Sequence, residues 1–393
     1  MDKSSKNLFN NTELAFTNKS NFDLTKAYFL FSVLDYPWLT KIGNMFLLLV
    51  LKLRLPFKTI IKKTIFDHFC GGETIDDCKS TFDSLKAYKI YAMPEYSVEA
   101  ESTFEGFESY KNTMIDLIKY LGYQGLPFIA IKCTGLMDIH SLEMISKGSL
   151  DNNSEKFIDF KNRMNDLCKT ASKCNVKILI DAEESWIQDA IDMVALDLME
   201  IYNKKVHTIF LTHQCYRTGT LSRIKENFKR AKQNKFLLGI KLVRGAYMEK
   251  ERERAKKYNY ESPIQPTKSD TDLEFDNSVK FCIDNIDNIS IWVGSHNEFS
   301  SMQLVKIMKE KKIKSNDKRI WFSQLYGMSD NISFSLAEKG YNVAKLIPFG
   351  PVKEVIPYLM RRIEENTSIS EQTNRELSLI RKEIERRKKV NLN

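Results

Sequence analysis

The stretch L-G-I-K-L-V-R-G-A-Y-M-E-K-E-R-E-R-A, residues 238–255, carries the reading of the fold in one unit. An apolar run broken by one lysine stops at Arg244-Gly245, and a charged run of strong helix formers follows. That is a strand giving way to polar residues and then to a helix, the βα unit of a parallel sheet. Seven other runs repeat the texture: KIYAMPEYSVEA (89–100), FIAIKCTG (128–135), VKILIDAEE (176–184), HTIFLTHQCY (207–216), ISIWVGSHNE (289–298), RIWFSQLYGM (319–328) and NVAKLIPFG (342–350). Eight alternations suit a closed (β/α)8 TIM-type barrel better than an open sheet. At the ends of the runs stand Lys132, Asp181, Gln214, Arg244-Gly245, His296-Asn297 and Gln324. Active sites of such barrels lie at the C-terminal ends of the strands, so these residues are expected to share one mouth. Any one of them could simply end a strand in a solvated loop; six doing so together indicate a site.

Outward from the barrel, residues 1–87 read as an N-terminal helical arm, 88–368 as the barrel and 369–393 as a basic C-terminal tail. Within the arm, apolar residues recur at helical spacing from Leu24, with breaks at Pro37, Pro56 and Gly71-Gly72. With 42% hydrophobic and 11% aromatic residues, the chain can bury a large core, which excludes a disordered protein. Seven scattered cysteines form no C-x-x-C pair and no zinc spacing, so a reducing compartment and no metal are expected. A net charge of +9 with Lys and Glu interspersed argues against a nucleic-acid groove. The polar segment 1–21 has no apolar core of a signal peptide, which predicts a cytoplasmic protein. The longest apolar run, IGNMFLLLVL at 42–51, is about half of the ~20 residues needed to cross a bilayer, and predicts a buried or interfacial helix.

Tyr358, Arg361, Arg362 and Glu365 fall at i, i+3, i+4 and i+7, so they share one face of the last barrel helix. Adjacent guanidiniums can clamp a carboxylate while a tyrosine ring covers the apolar side of a small amino acid, although an arginine pair on a helix is more often solvated. Lys132 and Asp181 would keep each other ionised if buried together, or only brace the interior. In the tail, Leu377, Ile380 and Ile384 recur at helical spacing among basic residues. Such a helix either lies on an anionic membrane or closes the fold as a packed helix.

The run K-L-V-R-G-A-Y-M-E-K-E-R-E-R-A (241–255) closely resembles the fifth-strand signature of the proline dehydrogenases. Y-S-V-E-A-E (96–101), D-A-E-E (181–184), S-H-N-E (295–298) and Q-L-Y-G-M, P-F-G-P-V and P-Y-L-M-R-R-I-E-E-N within 324–366 resemble the same family in order, covering roughly 65–368. The resemblance implies a monofunctional flavoenzyme that binds FAD and oxidises L-proline to Δ1-pyrroline-5-carboxylate by hydride transfer from proline C5 to flavin N5. It further implies a membrane quinone as electron acceptor and the first step of proline catabolism to glutamate; with such an acceptor, the basic tail predicts peripheral contact with the inner face of the cytoplasmic membrane. By the same resemblance the substrate is met by Lys132, Asp181, Tyr247, Leu325, Leu346, Tyr358, Arg361 and Arg362, with Glu101 pairing with Arg361 as a lid. FAD is met by Gln214, Lys241, Val243, Gly245, Ser295, His296, Asn297, Arg362 and Glu365.

Three positions depart from relatives: Lys241 stands where some carry arginine, Met248 where some carry tryptophan, and Leu346 where many have a tyrosine four residues before the eighth-strand glycine. The last makes hydroxyproline an alternative substrate. Another FAD barrel, such as a methylenetetrahydrofolate reductase, would not need the Tyr358-Arg361-Arg362 clamp. A proline-responsive DNA-binding regulator would need a ribbon-helix-helix-like segment, and none is read before Leu24; a bifunctional form would need an aldehyde dehydrogenase half.

Overall fold

In the computed structural model the described residues are 8–34, 61–97, 102–151, 153–368 and 370–390. The apolar run 42–51 and Glu101 lie outside them, as does the side chain of Glu365. Each of the eight runs contains a strand: β1 (Ile90–Tyr96), β2 (Phe128–Ile131), β3 (Lys177–Ile180), β4 (Ile209–Gln214), β5 (Leu238–Val243), β6 (Ile289–Gly294), β7 (Ile320–Leu325) and β8 (Val343–Phe349). They close in sequence order into a barrel, β1 to β8, with helices between consecutive strands. Chain contacts divide the protein into two compact units, one of Met93–Ser295 with Gln303–Phe322, the other of Met1–Ala92, His296–Met302 and Ser323–Asn393.

Within the first unit, the parallel register pairs Thr212 with Lys241 and Lys241 with Trp292. Side chains of paired residues point to the same face of a sheet, so these three share the barrel interior. Phe128 on β2 meets Trp292 on β6 with ring centroids 4.6 Å apart, and Phe210 on β4 lies 6.3 Å from the same ring. None of these strands is a neighbour of another, so their rings can meet only inside the barrel. Trp321 on β7 stacks on Trp292 at 5.1 Å with an interplanar angle of 10°, completing an aromatic layer drawn mainly from alternate strands. That layer fills the barrel and gives Lys241 an apolar floor.

The second unit is built on helices. Helices named below, in both units, are α1 (Thr12–Ala15), α2 (Asn21–Leu34), α3 (Met248–Tyr258), α4 (Glu298–Glu310), α5 (Asp330–Glu338), α6 (Val352–Ser368) and α7 (Ser370–Val390). Leu24, Phe31 and Leu34 of α2, Phe66 and Phe69, Val355 and Leu359 of α6, and Leu379 and Ile380 of α7 form one buried cluster. The apolar stripe of the basic tail is therefore turned inward. Arg386 and Arg387 both pair with the fully buried Glu383, and Arg387 also donates to the carbonyls of Phe16 and Lys19. On the outer face of the same helix Arg381, Lys382, Lys388 and Lys389 stay exposed.

Gly327, between β7 and α5, has φ +79°, and a Cβ there would stand 2.3 Å from the His68 carbonyl oxygen. Its own carbonyl oxygen lies 2.9 Å from His68 Nε2, so only glycine allows this approach.

Truncating the central ring tests the aromatic layer. Trp292→Ala is expected to cost about 3–5 kcal/mol of stability, measured by denaturant unfolding, because it removes a large ring with no side chain able to refill the space. A loss under about 1 kcal/mol would show that the rings do not form one packed layer.

Candidate active site

A chain of alternating charge lies at the C-terminal ends of strands in the first unit. Glu95 on β1 pairs with Lys132, which follows β2. Lys132 Nζ lies 3.5 Å from Asp181 Oδ2, and Asp181 Oδ1 accepts from Lys241 Nζ of β5 at 2.5 Å. Glu95, Lys132 and Lys241 are buried, and the four charges sum to zero. Burial alone would raise the Asp181 carboxyl, but the charges of Lys241 and Lys132 outweigh it and hold the group below the usual carboxylate range. Glu95 is the member that sequence reasoning passed over, although a carboxylate inside an apolar strand run was a visible signal.

A second layer of hydrogen bonds fixes the strand ends around this chain. Gln214 Nε2 donates to the Glu183 carbonyl oxygen at 2.7 Å, and its Oε1 accepts the Ala246 N–H at 3.2 Å. The Glu183 carboxylate accepts from the Thr134 N–H at 3.0 Å and the Thr134 hydroxyl at 2.6 Å. Burial nonetheless pushes the Glu183 carboxyl up to about 7. After β5, Arg244 donates to Asp272 at 2.7 Å and to Ser295 Oγ at 2.9 Å while its guanidinium lies over the Phe275 ring at 4.5 Å. Val243 ends the strand, its carbonyl accepting the Cys215 N–H, and Tyr247 and Met248 lie where α3 begins.

Gly245 has φ +136°, and a Cβ on it would fall 1.4 Å from the Tyr216 ring. Tyr216 of the same unit fills the space where a side chain at residue 245 would stand. The glycine requirement is steric and internal.

In the second unit, Tyr358 and Arg362 of α6 are buried together, with the guanidinium carbon 5.2 Å from the tyrosine ring centroid, and Arg361 beside them is half-buried. This is the i, i+4 neighbourhood that the spacing predicted. Leu325 ends β7 half-buried, and Leu346 lies buried in β8. Lys345 pairs with Asp330 at 2.7 Å, toward the start of α5, so strand alternation turns Leu346 to the opposite face. His296 Nδ1 lies 3.0 Å from Ser329 Oγ, and Asn297 Oδ1 accepts the Ser300 N–H at 3.0 Å, capping α4. Glu376, Asp330 and Ser329, which connect this region, carried no motif and were invisible in the sequence.

The class defined by this fold and these strand ends is a (β/α)8-barrel enzyme with a buried, charge-balanced mouth. The family model for proline dehydrogenase matches residues 78–375. The chain is 30% identical to proline dehydrogenase 1, mitochondrial, of Dictyostelium discoideum, covering 96% of this chain and 74% of that protein. It is 28% identical to the hydroxyproline dehydrogenase of Xenopus laevis, covering 95% of this chain and 88% of that one. In fold it is similar to proline utilization A (PutA) from Bdellovibrio bacteriovorus, with a TM-score of 0.77 and 17% identity, covering 93% of this chain but only 42% of that one. The chain belongs to the proline dehydrogenase family, and is an oxidoreductase acting on proline. No helix among the described residues is long and apolar enough to cross a membrane. The Dictyostelium relative is named mitochondrial, so the cytoplasmic expectation gains no support from it.

Glu183 provides a pH test of the strand-end layer. Its carboxyl is raised from an ordinary 4.5 to about 7, so folding favours the protonated form. The stability this contributes is fully present below about pH 4.5 and is lost as pH rises through about 7. Unfolding midpoints from pH 4 to 8 should therefore fall less steeply in Glu183→Gln than in the native protein. Parallel curves would refute the assignment.

Proposed function

We propose that this chain is an FAD-dependent dehydrogenase that oxidises L-proline to Δ1-pyrroline-5-carboxylate and passes the electrons to a membrane quinone. The observation that carries the reading is the Lys132–Asp181–Lys241 ion chain, both lysines buried, at the strand ends of a barrel in the proline dehydrogenase family. The donor set suits a flavin: the Lys241 and Arg244 cations, the Ser295 hydroxyl and the Gln214 amide stand at the ends of β4, β5 and β6. Hydrogen-bond donors of this kind complement the carbonyl-rich pyrimidine edge and the phosphates of FAD. We assign FAD to Gln214, Lys241, Val243, Gly245, Ser295, His296, Asn297 and Arg362.

When bound, FAD supplies the acceptor for the hydride that leaves proline C5. The residues of this chain orient the substrate. Arg361 and Arg362 clamp the carboxylate, and Tyr358, whose ring already supports Arg362, covers the apolar ring of proline. The neutral amine holds the lone pair that forms the C5=N bond as the hydride departs, and the amine proton is released to solvent. Lys132 and Asp181, each held by opposite charges, border the substrate without becoming nucleophiles. Contact with an anionic membrane surface runs through Arg381, Lys382, Lys388 and Lys389, which are exposed on α7.

The absorption spectrum tests cofactor and reaction class together. Purified protein is expected to show flavin bands that L-proline bleaches without oxygen, and Arg361→Met is expected to keep the bands but raise the proline KM strongly. Losing one arm of a buried carboxylate clamp costs on the order of 2–5 kcal/mol. Colourless protein, or bands that proline leaves untouched, would sink the reading.

A second reading, some activity on trans-4-hydroxy-L-proline, is favoured by Leu346. Leucine is smaller than tyrosine and has no hydroxyl, so it opens space beside C4 but offers the substrate hydroxyl no partner. Hydroxyproline is expected to be a poor but measurable substrate, and Leu346→Tyr should widen the preference for proline in kcat/KM. An unmoved ratio would show that Leu346 does not line the substrate pocket.

A further inference from the structure

Helix α7 reads in the sequence as a basic amphipathic helix, and two consecutive residues of its first half reach the start of α4 and the loop that follows β7. Glu376 is buried, and its carboxylate accepts the Ser329 N–H at 2.5 Å. Arg375 Nε donates to Glu298 Oε1 at 2.7 Å, and Asn331 Nδ2 donates to the same oxygen at 2.7 Å. The segment from His296 to Glu298 is thus tied to α7 and to the loop containing Ser329.

Ser329 is the junction. Its φ of +52° and ψ of +43° lie in the left-handed region, which a serine keeps only when its surroundings impose it. Glu376 imposes it by accepting the backbone N–H, while Lys345, paired with Asp330 and donating to the Leu325 and Met328 carbonyls, anchors the same loop from β8. Held in that conformation, Ser329 places Oγ 3.0 Å from His296 Nδ1 and so fixes which way the imidazole ring faces. The contact engages Nδ1 and leaves the orientation of Nε2 determined.

We propose that Glu376 is a positioning residue of the flavin site: acting through Ser329, it orients the His296 ring, which makes α7 a working part of that site. The proposal rests on the assignment of FAD to His296 made above. A residue that merely closed the fold would stabilise the protein without altering how one histidine is presented.

Two measurements on the full-length protein test it. The first is the rate of FAD release from the holoprotein on dilution, followed by flavin fluorescence. The second is the imidazole nitrogen NMR signal of His296 in protein labelled at its five histidines. Glu376→Ala and Ser329→Ala are each expected to speed FAD release about tenfold, the size of one net hydrogen bond, and to shift the His296 Nδ1 signal. Glu376→Gln keeps an accepting oxygen and is expected to restore both readouts. If Glu376→Ala does not fold, Ser329→Ala decides, because it removes only the hydroxyl. Native-like release and an unmoved His296 signal in Ser329→Ala would overturn the proposal. A native protein that takes up no FAD would overturn the flavin reading instead, and a shifted His296 signal in that case would still establish the Glu376–Ser329–His296 linkage.

Discussion

A lysine or carboxylate buried alone costs several kcal/mol, and the mouth of this barrel gathers four ionisable side chains, three of them buried and Asp181 half-buried. Alternation of sign along Glu95–Lys132–Asp181–Lys241 makes that arrangement tolerable, since each interior charge touches its opposite. The chain also ties together strands that are distant in sequence. Lys241 can reach Asp181 only if β5 keeps its register with Thr212 and Trp292. A slip of one residue would turn Lys241 outward and the whole apolar set of the strand with it. The ion chain and the aromatic layer therefore demand the same register from opposite directions, one by charge and the other by packing.

The second unit meets the same physical problem with different parts. Lys345 has no exposure, and burial lowers its pKa, while Asp330 pulls the other way and the carbonyls of Leu325 and Met328 accept its remaining protons. Glu376, pushed up to about 7 by burial, is close to that lysine but accepts its hydrogen bond from a backbone N–H. A loop between a strand and a helix is thus held by charges from a following strand and a terminal helix, which explains how a non-glycine residue stays in a left-handed conformation there. The terminal helix contributes both apolar side chains and one buried acid, so its basic outer face is what remains after packing is satisfied.

The barrel was legible because a parallel sheet writes itself into the chain as repeated apolar runs, each ending in polar residues, and every such run proved to hold a strand. The pairing of Tyr358 with Arg362 was legible for the same reason, since helical periodicity alone places i and i+4 together. The partners of those residues were not legible. Glu95 stood within a quoted run but had no spacing rule to connect it to Lys132, which is 37 residues away. Ser329 and Glu376 are joined across 47 residues by a backbone N–H, an interaction that any acidic residue can make and no motif records. At Gly245 the small residue was visible in the sequence, whereas Tyr216, whose ring excludes any side chain there, was not, because no local pattern brings it near.

The place of Leu346 in the fold is set by its neighbours. On one side of it Lys345 is committed to Asp330, and on the other Ile347 packs so closely on Gly71 that a Cβ there would lie 2.6 Å from its methyl group. Both contacts fall on one face of β8 and hold the strand in register. The strand alternates, and residue 346 must face the side opposite to Lys345 and Ile347 whatever side chain it carries. Leu346→Tyr would consequently be a change of chemistry at a fixed place, adding one hydroxyl and ring volume to a strand already packed on its other face. In a packed barrel such a change is passed to whatever occupies that face, because the strand that bears it is held on the other.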